Sequence, residues 1–219
     1  MLVLALDTAT PAVVAGVAEL TGDGVAVRAE RVAHDARKHG ELLVPLLLAA
    51  CAEAGVALRD ADAVVVGTGP GPFTGLRVGM VTAAALGDAL GIPVHGVCTL
   101  DAIAHDAGPG PLVAVTDARR REVYWAAYAA DGTRTSGPHV EPPAALRERV
   151  AELGAVAAAG GSAAESGLPV RGPAQPSVGA LVAVAASALR SGADPGPLEP
   201  LYLRRPDAVA PGVRKRVGT

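Results

Sequence analysis

Residues 63–90 read AVVVGTGPGPFTGLRVGMVTAAALGDAL, and this stretch decides the fold. The β-branched residues 64–66 predict a short strand, the next residues are almost wholly Gly, Pro and Thr, and residues 74–90 predict a helix. In an α/β sheet such a turn lies where ligands bind, because the carboxyl end of a strand meets the amino end of a helix. A phosphate-binding loop is therefore the first hypothesis for this turn.

The residues of the loop argue against phosphate binding. The pattern G-x-x-x-x-G-K-[ST] of a P-loop does not fit residues 69–77. A phosphate cradle also works through backbone N–H donors, and Pro70 and Pro72 each remove one. The prolines make the turn rigid instead. Phe73, the only phenylalanine of the chain, lies at the end of this turn. Either the turn packs on its own core, or it presents a surface that docks a partner, which is the sharper hypothesis.

The helix that follows the loop carries two further signals. Thr74 is a suitable N-cap residue, which would place Arg77 at the third helical position. A cation there opposes the helix dipole by about 0.3–1 kcal/mol, so we expect an anionic partner for it. Gly79, Ala83 and Gly87 recur every four residues. Such a row lets another helix approach closely, either within the chain or across an interface.

Composition limits the classes of protein. The chain has 219 residues, of which 50% are hydrophobic, so it can bury a sizeable core. Its formal net charge of −3 gives no electrostatic case for nucleic-acid binding by the whole molecule. Cys51 and Cys98 lack metal-ligand spacing and are predicted to be small buried residues in a reducing cytosol. The first residues lack the basic region of a signal peptide, and no run has the ~20 apolar residues of a membrane span. We therefore expect a cytoplasmic protein without membrane contact.

The order of predicted elements occurs twice along the chain. Three strands, a helix, a strand and a helix follow one another in each half, and the first strands of the halves end at Asp7 and Asp117. This order predicts an α/β protein of two lobes with the duplicated βββαβα, ribonuclease H-like fold of the actin, Hsp70 and sugar-kinase group. The predicted domains are an N-terminal lobe over residues 1–107, a smaller C-terminal lobe over residues 108–193 and an extended tail over residues 194–219.

The predicted helix over residues 41–54 is apolar on all sides. A helix of this kind must be covered on more than one side, since a single sheet shields only a stripe. The second cover could be another subunit. Burial within this chain, between the sheet and a neighbouring helix, fits the sequence equally well.

In the fold group just named, a nucleotide lies in the cleft between the lobes. The residues that could line such a cleft are Asp7, Thr8, Asp117, Arg119, Gly160 and Gly161. The two aspartates could hold a metal–nucleotide or act as a general base, or they could only cap the turns after their strands. Arg119 opens a small basic cluster suited to phosphate, although such a cluster is often a solvated hairpin end. The Gly160-Gly161 pair could lie against an adenosine or form a plain turn.

The sequence contains no motif for zinc-dependent or serine-based hydrolysis. The chain has neither HExxH nor paired histidines on one predicted helix face, and it has no GxSxG elbow. We therefore predict no metal site and no catalysis of the zinc-hydrolase or Ser-His-Asp type.

Four segments of the chain resemble one known family. They are residues 4–18 (LALDTATPAVVAGVA), 38–47 (KHGELLVPLL), 65–104, which contain GPGPFTGLR, and 115–128 (VTDARRREVYWAAY). They resemble the TsaB family, also called YeaZ, over residues 1–128, and the match then thins to a piece at residues 200–204, PLYLR. Two positions depart from the family pattern: Pro72 replaces a serine, and Gly40 precedes Glu41 where the family normally has serine.

The resemblance implies a non-catalytic subunit. TsaB proteins are the bacterial partners of TsaD, which transfers a threonylcarbamoyl group to the tRNA adenosine beside the anticodon. The resemblance implies that the helices over residues 41–54 and 74–90 bundle with the equivalent helices of TsaD, or of a second copy when TsaD is absent. The implied partner-binding residues are Leu42, Leu43, Leu46, Leu47, Ala50, Phe73, Thr74, Arg77, Met80, Ala83, Ala84 and Gly87.

The resemblance also implies the molecules that assemble around this subunit. It implies no cofactor of the chain's own, but ATP or ADP at the interface with TsaD. The ATPase TsaE and tRNA join through the complex. The alternative hypothesis is a small ATPase or phosphotransferase of the actin and sugar-kinase fold, which would use Asp7, Asp117 and the Gly160-Gly161 turn.

Overall fold

The computed structural model describes residues 1–35 and 37–204. In chain order, its strands and helices are β1 (Leu2–Asp7), β2 (Ala12–Leu20), β3 (Val25–His34), α1 (His39–Ala54), β4 (Ala63–Gly67), α2 (Phe73–Leu90), β5 (Val94–Val97), α3 (Thr99–Asp106), β6 (Leu112–Asp117), β7 (Val123–Tyr128), β8 (Arg134–Glu141), α4 (Pro143–Arg149), β9 (Ala157–Ala159) and α5 (Val178–Ser191). Every helix in these ranges is too short or too polar to cross a membrane.

The first sheet has the strand order β3-β2-β1-β4-β5. Strand β1 lies antiparallel to β2 and parallel to β4, so it is a central strand. Its side chains alternate between two cores: Val3 and Ala5 face one side of the sheet, and Leu4 and Leu6 face the other. This period of two is why a continuous run of apolar residues forms a strand that is buried on both faces.

The second sheet repeats the pattern of the first. Its order is β8-β7-β6-β9, with β6 antiparallel to β7 and parallel to β9. This order corresponds to β3-β2-β1-β4, and a helix precedes the last strand in each half. The predicted duplicated βββαβα fold is therefore confirmed. The first half carries an additional strand and helix, β5 and α3.

Helices cover both faces of the first sheet. On one face, α1 and α2 pack through Leu43, Leu47 and Met80 against β1 and β4. On the other face lies α5, with Val178, Leu181 and others in one core with β1 and β2. The predicted C-terminal lobe over residues 108–193 included this helix, but the structure packs it on the first lobe. That packing joins residues far apart in sequence, so local patterns could not predict it.

The second lobe has its own smaller cores. One face of the second sheet packs against α3 through Leu100 and Ile103, and the other face packs against Leu146 of α4. Cys51 and Cys98 are both free and buried, as predicted. Burial raises the pKa of the Cys98 thiol to about 12, so at neutral pH this side chain is a small apolar group.

Residues 194–204 run back across both lobes. Leu198 packs against the core under α1 and α2, and Leu201 and Leu203 pack against the core of the second sheet. The backbone N–H of Leu201 donates to the carbonyl of Thr68 at 2.9 Å. Residues 201–203 therefore anchor this segment on the second lobe. The rest of the predicted tail, residues 205–219, lies outside the described residues.

Candidate functional site

The inner faces of α1 and α2 belong to the core of this chain. Six of the twelve predicted partner-binding residues are buried here, namely Leu43, Leu47, Ala50, Met80, Ala83 and Gly87. They lie against the sheet, so their side chains are covered before any partner binds. The prediction that these six contact a partner is corrected accordingly, and only the outer faces of the two helices are available for docking.

The row of small residues on α2 also faces inward. A Cβ atom on Gly79 would lie 2.5 Å from Thr8 Oγ1, and one on Gly87 would lie 2.3 Å from Val94 Cγ2. The row therefore brings α2 close to its own sheet. The predicted close approach is present, but its partner is the sheet and the loop after β1, where the sequence suggested another helix.

An apolar surface remains on the outer faces of α1 and α2. Phe73 and Val81 expose 50% and 65% of their surface, and Val44 and Leu48 of α1 are also exposed. On α2 the spacing of Phe73, Arg77 and Val81 is four residues, which places them in one stripe. We call this surface the docking face, formed by Val44, Leu48, Phe73, Thr74, Arg77, Val81 and Ala84. Leu42 and Leu46 lie on the other flank of α1, where they are half-buried and pack against the core.

Three residues of the docking face were missed by the sequence analysis: Val44, Leu48 and Val81. Both helices are apolar on most sides, so hydrophobicity alone did not show which stripe faces the sheet. Fixing the inner stripe of α2 first, from Gly79 and Gly87, would have assigned Val81 to the outer face, but α1 has no such row to orient Val44 and Leu48.

The loop before α2 is held rigidly on the core. Two hydrogen bonds join Gly69 to Thr99. The N–H of Gly69 donates to Thr99 Oγ1 at 3.2 Å, and the N–H of Thr99 donates to the Gly69 carbonyl at 2.8 Å. A Cβ on Gly71 would lie 2.3 Å from the carbonyl oxygen of Ala9. The glycines of this turn therefore pack on the core, as the first hypothesis predicted. Phe73 is exposed at the end of the turn, and docking of a partner there stays a prediction.

The predicted N-cap of α2 is wrong by two residues. The N-cap residue is Pro72, with φ −61° and ψ 136°, and Phe73 is the first helical residue. Thr74 is therefore not the N-cap. It lies exposed in the first turn, and Arg77 is two positions further into the helix than predicted.

Arg77 has an aromatic and phenolic environment. Its guanidinium carbon lies 3.9 Å from the centre of the Phe73 ring, and its Nε donates to the hydroxyl of Tyr202 at 3.0 Å. Tyr202 in turn stacks on Phe73 with ring centres 5.2 Å apart. Among the described residues, Arg77 therefore makes a cation–π contact and a hydrogen bond to a phenol where the sequence predicted an anionic partner. Residues 194–204 therefore fix the end of the docking face.

A small pocket lies beside the docking face, between the lobes. Its volume is about 130 Å³, and its lining residues are Thr8, Thr10, Pro11, Arg37, His39, Gly40, Pro72, Thr74, Gly75, Val78 and Arg119. Arg119 reaches it from the turn between β6 and β7, and a ring nitrogen of His39 lies 2.9 Å from the carbonyl of Thr10. The Thr8 hydroxyl donates to the Gly75 carbonyl. We call this the interlobe pocket; its arginines and hydroxyls suit an anionic ligand.

Of the six predicted nucleotide-cleft residues, the structure brings Thr8 and Arg119 together at this pocket. Asp7 is fully buried behind it: one carboxylate oxygen accepts from Thr99 Oγ1 at 2.6 Å and the other from the Ala9 N–H at 2.9 Å. Burial raises the pKa of Asp7 to about 6, against the lowering effect of these hydrogen bonds. Asp7 therefore closes the turn after β1 and holds α3, the capping role that the sequence left open.

Asp117 also caps a turn. One of its oxygens accepts from the Arg119 N–H at 2.9 Å, and the other lies 3.6 Å from Arg119 Nε. Residues 119–121 all have positive φ angles, between 53° and 63°, which L residues rarely adopt. The carboxylate thus fixes a tight hairpin end that carries Arg119 to the interlobe pocket.

The two glycines lie apart from the interlobe pocket. Gly160, with φ 101°, packs against the carbonyl of Val115, and its N–H donates to the carbonyl of Pro173. Gly161 lies next to it on the surface. Both glycines are therefore placed as parts of a turn after β9. Within the described residues, no group of three His, Cys, Asp or Glu side chains is placed to hold a metal ion.

This architecture defines a two-lobed α/β protein of the actin and sugar-kinase fold group. The crystal structure of YeaZ from Pseudomonas aeruginosa matches it with a TM-score of 0.72 at 31% identity, covering 92% of this chain and 99% of that one. The Escherichia coli protein named tRNA threonylcarbamoyladenosine biosynthesis protein TsaB is 35% identical over 163 residues, 70% of this chain and 68% of the relative. The chain belongs to the TsaB (YeaZ) family.

Two further comparisons extend this assignment. An uncharacterised protein of Mycobacterium tuberculosis is 55% identical over 206 residues, 94% of this chain and 93% of the relative. The family model described as TsaD, tRNA N6-adenosine threonylcarbamoyltransferase, matches residues 27–189. That range includes α1 and α2, so the helices of the docking face lie within the region of similarity to TsaD.

Proposed function

We propose that this protein is a non-catalytic subunit in the biosynthesis of threonylcarbamoyladenosine on tRNA, and that it acts by binding TsaD through the docking face. The observation that carries the proposal is the apolar outer surface of α1 and α2, on helices whose inner faces already cover the sheet. Fully burying an exposed side chain of this size contributes about 1.5–3 kcal/mol, so Val81 and Leu48, which are 65% and 48% exposed, can each contribute part of that range to an interface.

The similarity to TsaD supports the choice of partner. Because the TsaD family model matches the region of both helices, a TsaD protein can offer a related helix pair to this face. Two related pairs then pack around a pseudo-two-fold axis, each burying the outer stripe of the other. A second copy of this chain can occupy the same position when TsaD is absent.

The state of Asp7 supports a non-catalytic role. Both of its carboxylate oxygens are engaged by Thr99 and Ala9 in the interior of the first lobe. A carboxylate in this environment has a structural role, because a substrate cannot come close enough to transfer a proton to it. The alternative of an ATPase that uses Asp7, Asp117 and the Gly160-Gly161 turn is disfavoured by the capping and packing roles of these residues.

The interlobe pocket is the proposed position of a nucleotide. Arg37, His39 and Arg119 surround it, and it adjoins Thr74 at the start of α2, on the docking face. A phosphate of ATP or ADP held there would lie at the edge of the TsaD interface, and the ATPase TsaE and tRNA would join the assembled complex. The subunit needs no cofactor of its own for this role.

Reconstitution with purified components tests the proposal. With tRNA and the threonylcarbamoyl donor, we expect transfer when TsaD, TsaE and this protein are combined, and loss of transfer when this protein is omitted. This protein alone should transfer nothing, because the proposed catalytic centre is in TsaD. Transfer by the single protein, or full transfer without it, would contradict the proposal.

A further inference from the structure

The outer stripe of α2 carries opposite charges toward its two ends. Steps of three or four residues place five side chains on one side of the helix, namely Phe73, Arg77, Val81, Ala84 and Asp88. Arg77 and Asp88 are both exposed. With a rise of about 1.5 Å per residue, they lie roughly 16 Å apart along the axis, with Val81 and Ala84 between them. The stripe is therefore positive toward the start of α2 and negative toward its end.

Neither charge is matched inside the described part of the chain. Within residues 1–35 and 37–204, Asp88 makes no hydrogen bond or ion pair. It lies in the last turn of α2, where the negative end of the helix dipole disfavours a carboxylate. Arg77 is placed against the ring of Phe73 and the phenol of Tyr202, which are uncharged. Each charge would gain from an opposite charge on a partner.

A second copy of α2 supplies both opposite charges when it runs antiparallel to the first. A two-fold axis midway between residues 77 and 88 places Arg77 opposite Asp88 of the second copy, and the same pair recurs at the other end. Val81 then lies opposite Ala84 of the second copy. A large side chain facing a small one lets the two helices approach closely. Parallel pairing would instead place the two Arg77 side chains together.

The apolar residues of the docking face supply contact area for this pairing. Val81 exposes 65% of its surface, and Val44 and Leu48 of the neighbouring helix α1 expose 43% and 48%. Apolar burial is non-directional, so it does not select one direction or register. Complementary charges do select them, because a wrong register places like charges together.

We propose that α2 pairs antiparallel with α2 of a second copy, in the register that joins Arg77 of each copy to Asp88 of the other. This register rests on the docking face of the proposed function, and it adds the direction of pairing and the residues that select it. The stripe is complementary to itself, which is the requirement for an interface around a two-fold axis.

Sedimentation equilibrium of the full chain measures the dissociation constant of the dimer. Asp88→Lys brings like charges together at both ends of the contact, so it should weaken the dimer by about tenfold or more. Glu148→Lys makes the same change of charge on the exposed surface of α4, and this matched control should dimerise like the parent. Thermal unfolding shows that each variant is folded.

Exchange of the two charges tests the register itself. Arg77→Glu should weaken the dimer as Asp88→Lys does. The double variant Arg77→Glu/Asp88→Lys should recover most of the loss, because both ion pairs form again with reversed polarity. If Arg77→Glu does not fold without its contacts to Phe73 and Tyr202, the comparison of Asp88→Lys with Glu148→Lys decides.

Three results would overturn the proposal. The first is a parent protein that stays monomeric at high concentration. The second is a folded Asp88→Lys variant with the dissociation constant of the parent. The third is a folded double variant that dimerises no better than the single variants. Calorimetric titration of the parent with TsaD is a separate readout: intact TsaD binding beside any of these results would overturn the self-pairing alone, whereas absent TsaD binding would contradict the proposed function.

Discussion

At the scale of single residues, Asp7 shows how one carboxylate can hold two parts of a lobe together. It lies at the end of β1, and its partner Thr99 lies at the start of α3, 92 residues further along the chain. The sequence predicted a polar residue at a strand end. It could not predict the partner, because a contact over such a separation is set by the packing of the whole lobe.

The raised pKa of Asp7 predicts how stability changes with pH. The pKa is about 6 in the folded protein and 3.8 in its reference state, so between these values the folded state binds more protons than the unfolded state. Stability contributed by this residue therefore falls as the pH rises from about 4 to about 6, by roughly 2–3 kcal/mol in all. The Asp7→Asn variant should lack this part of the pH dependence.

Chemical unfolding of the parent and of Asp7→Asn at several values between pH 4 and pH 7 measures this difference. As the pH rises, the free energy of unfolding of the parent should fall relative to that of Asp7→Asn. Parallel pH profiles would show that Asp7 does not titrate in this range, and that the burial of its charge costs less than expected.

At the scale of elements, the strand over residues 64–66 and the helix over residues 74–90 were predicted within a residue or two, because β-branched and helix-forming residues meet at a Gly/Pro loop. The start of α2 was missed because Pro72 already provides the extended residue before a helix, so Thr74 was not required as a cap. The inner stripe of α2 was missed because both sides are apolar.

The glycines of α2 provide a test of that stripe. Gly79→Ala should destabilise the protein by about 1–3 kcal/mol, because the new methyl group meets the buried Thr8 at 2.5 Å. Gly40→Ala in α1 is the matched control: its methyl group would meet only Val78, at 3.9 Å, so the better helix propensity of alanine should raise stability by up to about 1 kcal/mol.

Thermal and urea unfolding of the two glycine variants compare them directly. Equal stability of Gly79→Ala and the parent would mean that α2 does not lie as close to its sheet as described. The row of small residues would then be free to contact a partner, as the sequence alone allowed.

At the scale of the whole molecule, the order of elements predicted the duplicated fold, since each strand and helix carries its own local pattern. The placement of α5 on the first sheet was not predicted. The two lobes are therefore joined by more than the link between them, because α5 and residues 194–204 both return to the first lobe.

The docking face also predicts self-association. In the absence of TsaD, sedimentation velocity of the protein alone should show a monomer and a dimer whose ratio depends on concentration. The dimer should disappear in Leu48→Glu, since a charge buried in an apolar interface is strongly unfavourable. A strictly monomeric profile at high concentration would contradict the second role proposed for this face.

The central claim is that the outer surface of α1 and α2 binds TsaD, and calorimetric titration of TsaD with matched valine variants measures it most directly. Val81 on the docking face and Val170 in the second lobe expose 65% and 60% of their surface. Val81→Glu should weaken TsaD binding by about tenfold or more, a loss of at least about 1.4 kcal/mol, and Val170→Glu should bind as the parent does. Equal affinity of the folded Val81→Glu variant and the parent would contradict the account.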